Sequence, residues 1–126
     1  MPTTSKANPS PIDETSYLLE QWSIWARQGN GLGQLLHPSQ TPFQRLRGSS
    51  VPSAVISDEV AGEIDYCVSR LADLDKEAGE ILIKHFLLRR SMNKVARESE
   101  MNRHKAAVLL NAGVAWIAGR LDREEY

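Results

Sequence analysis

The sequence predicts an all-α protein of about five helices, with a C-terminal helix-turn-helix and a long final helix. Three observations predict it. Apolar residues recur at spacings of three and four through well-defined stretches. A capping residue (Asp13, Ser57, Asp75, Ser91 or Asn102) stands at the start of each such stretch. No stretch reads as a strand. At 126 residues the chain can build one modest core but not two ordinary domains. Its 41% hydrophobic and 25% charged residues are the proportions of a soluble globular protein.

Met1 to Ser10 are rich in Pro, Ser, Thr and Asn and show no apolar period. Residues 1–12 are read as a disordered tail, and 13–126 as a single helical domain. Asp13, or Asp13 with Glu14, starts the first helix, "ETSYLLEQWSIWARQ". Leu18, Leu19, Trp22, Trp25 and Ala26 form its apolar face, and Gly29 to Gly31 end it. Gly31 to Ile56 carries three prolines and three glycines without a period. A loop of that length inside a compact domain is uncommon. Leu35 and Leu36 are its expected anchors to the core, and Phe43, Arg45 and Arg47 are its candidate contact residues; an ordered surface loop is the alternative.

Ser57 caps the second helix, with Asp58 and Glu59 in its first turn where the helix dipole favours acids. Val60, Ile64, Cys67, Val68, Leu71 and Leu74 form its stripe. Asp75 caps a third helix over about 76–89, with Ile81, Leu82, His85 and Phe86 inward. Ser91 caps a short fourth helix ending near Ser99. Asn102 caps the last, which runs to about Arg123.

The fourth and fifth helices read as a helix-turn-helix within residues 76–121. Such a motif needs a small residue where the helices cross, apolar residues that lock the crossing, and a polar outer face on the second helix. Ala96 is the small residue, and Val95, Met101, Ala106 and Leu109 are the lock. Two positions depart from the pattern. Ser99 stands where an apolar residue is usual, and Glu100 replaces the turn glycine, which is favoured there because the turn residue often has positive φ. The candidate DNA contacts are Arg89, Arg90, Asn93, Lys94, Arg97, Asn102, Arg103, His104 and Lys105. Little polar surface follows Lys105, so the surface that could read base edges is short and phosphate contacts must supply much of the grip. An ordinary helical corner in a bundle is the competing reading.

Charge is partitioned along the chain. Ser57 to Glu80 holds eight acids against two bases, and Lys84 to Lys105 holds seven bases against two acids, within a formal net charge of −1. Such blocks suit charged partners, although two solvated, mutually complementary faces would look the same. The single cysteine, Cys67, excludes an internal disulfide and falls on an apolar stripe, where a buried thiol is expected. His37, His85 and His104 match no zinc spacing. "GNGLG" follows no strand and so is no phosphate loop. No enzyme and no cofactor are expected. Trp22, Trp25 and Trp116 are expected in the core. No apolar run reaches membrane-spanning length and no secretory signal opens the chain, so the expected location is cytosolic.

Lys76 to Leu121 resembles the C-terminal helix-turn-helix domain of sigma factors. More closely, the chain resembles the phage late-gene antiterminator Q family. "LLEQWSIWARQGNGLG" is similar to that family's tryptophan-bearing N-terminal helix and Gly/Asn turn. "EIDYCVSRLADLDKEAGEILIKHFLLRRSMNKVA" and "LLNAGVAWIAG" are similar to its later helices. The resemblance implies a factor in the host bacterial cytoplasm that binds double-stranded DNA at a late promoter and loads onto paused bacterial RNA polymerase with its sigma factor. It then carries the enzyme past pauses and terminators. Nascent RNA is a further implied partner, with Phe43, Arg45 and Arg47 as the residues that would face polymerase or RNA. A simple helix-turn-helix regulator and a helical protein-interaction module are the other readings.

Overall fold

The computed structural model describes residues 10–36 and 53–124. The described residues are helical throughout their regular structure, without a strand. In chain order the helices are α1 (Pro11–Arg27), the single turn α2 (Gly33–Leu36), α3 (Asp58–Leu74), α4 (Lys76–Leu82), α5 (Met92–Glu98) and α6 (Arg103–Glu124). A π-helical turn, Ile83–Leu87, continues α4. With α2 counted as a loop turn, these are the five expected helices.

Local chemistry sets the boundaries. Ser10 Oγ accepts the Asp13 N–H (3.1 Å) and Pro11 occupies the first helical turn, where its missing N–H costs nothing. α1 therefore begins two residues before the expected Asp13, and Pro11 and Ile12 belong to the helix, not to a tail. Ser57, Asp75 and Ser91 accept the N–H groups of Val60, Ala78 and Lys94 at 3.2 Å each. Asp75 serves twice: its N–H also donates to Leu71 O (2.7 Å), closing α3. That single-residue joint brings α3 and α4 into backbone contact, and a Cβ built on Gly79 would lie 2.5 Å from Ala72 Cα.

The helix expected over 76–89 is not α-helical to residue 89. From Ile83 the ladder widens by one residue, with the Leu88 N–H bonded to Ile83 O (3.1 Å), and Arg89 at φ 61° ends it. Phe86 and Leu87, both within this widened turn, are buried in the core. His85, expected inward, is half-buried; its Nδ1 pairs with Arg90 O at 2.9 Å across the turn.

The main core gathers Leu19, Trp22 and Ala26 of α1, Ile64, Cys67, Val68 and Leu71 of α3, Leu82 of α4, and Val114 and Ile117 of α6. Trp25 and Trp116 pack half-buried at its edge. Cys67 is buried, as its stripe predicts. Val60 and Leu74, expected on the same stripe, are exposed; they stand in the first and last turns of α3.

Polar links hold the N-terminal half to this core. Trp22 Nε1 donates to Asp65 Oδ1 (2.9 Å), and the same oxygen accepts the Leu32 N–H (3.0 Å). One carboxylate of α3 thus fastens α1 and the Gly/Asn turn together. Trp25 Nε1 donates to Asp58 Oδ1 (3.0 Å) and Arg27 Nη1 to Leu87 O (3.2 Å). Phe43, Arg45, Arg47 and His37 lie outside the described residues, as do the Leu35 and Leu36 side chains.

Candidate nucleic-acid interface

α5 and α6 meet through their own apolar cluster, built on Ile81, Val95, Ala96 and Ala106 and edged by Met92, Met101, Leu109 and Leu110. All five residues read as crossing and lock from the sequence are in it. Ala96 is 4% exposed among these neighbours. Ala96→Leu should overpack the crossing and cost about 1–3 kcal/mol, read by thermal unfolding; a variant melting like the parent would mean that the helices do not cross there.

The turn between them has the chemistry of a Schellman cap. Glu100 adopts φ 57°, its N–H donates to Arg97 O (3.2 Å), and the Met101 N–H donates to Ala96 O (3.0 Å). The positive φ that favours glycine here is present without the glycine. Glu100→Gly should therefore add about 1 kcal/mol of stability, measured by denaturant unfolding. Ser99, the other departure, accepts from Lys84 Nζ (3.3 Å), which also pairs with Glu80 at 3.3 Å. A polar link to the π turn replaces the usual apolar contact.

Asn102 Oδ1 accepts the Lys105 N–H (2.8 Å), so Asn102 caps α6 as expected. Arg103, His104 and Lys105 form the exposed first turn of α6, and Asn93, Lys94 and Arg97 are exposed on α5. Arg89 is exposed in the left-handed conformation just before α5. Arg90 differs from the rest: its Nη1 is held by Glu98 Oε1 at 2.7 Å, and it is half-buried. Among the described residues, Arg89, Lys94, Arg97, Arg103 and Lys105 therefore present charges that no acid neutralises. The sequence offered no sign of the Arg90–Glu98 pair, since a spacing of eight across a cap joins residues on no common helix face. Between α1 and the start of α5 lies a cleft of about 360 Å³ lined by Glu20, His85, Phe86, Arg89, Arg90 and Ser91.

Among the described residues no group of His, Cys, Asp and Glu could hold a metal ion, and no helix is long and apolar enough to cross a membrane. The fold and this surface define a class: a small all-helical protein whose exposed cations concentrate on one two-helix corner. A family model, Phage antitermination protein Q, matches residues 13–125, and the chain belongs to that family of regulatory factors. Neither the curated proteins nor the solved structures compared with the chain include a match.

Proposed function

We propose that this antitermination protein uses α5, the Glu100 turn and α6 as a helix-turn-helix on double-stranded DNA. It loads from there onto bacterial RNA polymerase carrying its sigma factor, and promotes read-through of pauses and terminators in late transcription in the host cytoplasm. The observation that carries the reading is the set of five unneutralised cations on that corner, in a chain of the antitermination Q family. Phosphates are the matching partner for cations spread over two helices, and they position a protein without reading sequence. Arg103, in the first turn of α6, is the candidate for a base contact. Arg90 contributes by holding Glu98 rather than by touching DNA. Phe43, Arg45 and Arg47 are proposed to face polymerase or nascent RNA, and the double change Arg45→Ala with Arg47→Ala should reduce read-through while sparing duplex binding.

The test selects duplexes from a random pool on the protein and then measures binding by fluorescence anisotropy across salt. Arg103→Ala should cost about 1–3 kcal/mol on the selected duplex and less on unrelated ones. Lys94→Ala should weaken every sequence alike and lower the salt slope by about one. Unchanged binding in both variants would remove the corner from the account.

A further inference from the structure

Between Lys105 and Arg120 the sequence holds no charged residue. A helix that is apolar all round is normally buried all round; α6 carries no charge over this span, yet among the described residues only one of its sides is covered. Ala106, Gly113, Val114 and Ile117 face the core, while Val108 is 51% exposed and Ala112, Ala115 and Gly119 are exposed with it. A Cβ added to Gly119 would meet nothing within 4 Å. Spacings of four, three and four place these residues in one straight seam, the a/d pattern of helices that pack along their length. Lys105 and Asp122 extend the seam by three residues at each end, both exposed and, among the described residues, without an ion pair.

The register of this seam identifies its occupant. About a midpoint between Gly113 and Val114 the seam maps onto itself when reversed. Val108 then falls opposite Gly119, Ala112 opposite Ala115, and Lys105 opposite Asp122. The largest of the four apolar residues meets the smallest, and opposite charges meet at both ends. We propose that a second copy of this chain packs on the exposed face of α6, antiparallel and about a twofold axis at residues 113–114, with two Lys105–Asp122 pairs closing the seam. A self-complementary patch of this kind is what a twofold interface requires, and small residues let the two backbones approach closely. A parallel arrangement would set Lys105 against Lys105. The seam of one helix pair falls at the low end of interface sizes, below about 1,200 Å², so the dimer is weak and grows with concentration. Nothing in this inference depends on the DNA reading.

Sedimentation velocity without nucleic acid, from micromolar to millimolar chain, tests it. The parent should pass from monomer to dimer. Lys105→Glu and Asp122→Lys should each weaken the dimer about tenfold, since each change sets like charges together at both ends of the seam, and the two changes combined should restore it. Ala112→Arg should abolish it at unchanged helicity. A parent that stays monomeric throughout, or a dimer indifferent to Ala112→Arg, would overturn the proposal.

Discussion

Trp22→Ala should cost about 3–5 kcal/mol of folding stability, the largest loss expected from any single truncation here. The indole is fully buried among α1, α3 and α6, so its removal leaves a cavity that rigid helices on three sides cannot close. The change also strips a donor from Asp65, whose Oδ1 then keeps only the Leu32 N–H. Trp22→Phe separates the two effects: it keeps most of the apolar volume and loses the hydrogen bond, and should cost distinctly less. Denaturant unfolding of the three proteins reads the difference. Equal losses for Ala and Phe would place the stability in the Asp65 link rather than in the packing.

Gly79→Ala should destabilise by about 2–3 kcal/mol, against the usual preference of helices for alanine. Its Cβ would sit 2.5 Å from Ala72 Cα and 2.8 Å from Ala72 Cβ. Backbone cannot rotate away as a side chain can, so α3 and α4 must separate. That movement shifts Ile81 and with it the cluster beneath Ala96. The contrast is Gly62→Ala in the second turn of α3, where nothing among the described residues lies within 4 Å of the added carbon; there the same exchange should stabilise by about 0.5–1 kcal/mol. Opposite signs in thermal unfolding would confirm that the two helices touch through Gly79. A stabilised Gly79→Ala would show that they do not.

The helices were legible because their signals are local. Ser57, Asp75, Ser91 and Asn102 each cap the helix they stand before, and the positive φ expected at position 100 is there. Ala96, Val95, Met101, Ala106 and Leu109 meet as their spacing predicts. What escaped reading depends on partners distant in sequence. Asp65 is one acid among eight in its segment and reads as solvated surface, yet it holds Trp22 and Leu32. The π turn at Ile83–Leu87 has no residue signature; its widened hydrogen-bond ladder is visible only in the folded backbone. Ser10 and Pro11 are a cap and a first-turn proline, and were obscured by a Pro- and Ser-rich neighbourhood. Among the candidate contacts, exposure follows from the polar faces of α5 and α6, whereas the commitment of Arg90 to Glu98 needs the folded turn.

Charge partition gives these local features a common direction. The acids of α3 and the start of α4 precede a basic corner, and the corner's cations are left without acidic partners while Lys84 and Arg90 are consumed internally. The chain keeps the corner's cations outward, on two helices locked by a separate apolar cluster.

Terminator read-through in a purified transcription reaction tests the central proposal most directly. The template carries a duplex selected by this protein overlapping a promoter, with an intrinsic terminator downstream, and polymerase with its sigma factor is supplied. The account predicts that the parent protein raises the fraction of transcripts passing the terminator, and that Arg103→Ala, folded as the parent, loses this effect together with its duplex binding. A parent that binds the duplex and leaves termination unchanged would contradict it, as would a variant that no longer binds DNA yet carries polymerase through as well as the parent does.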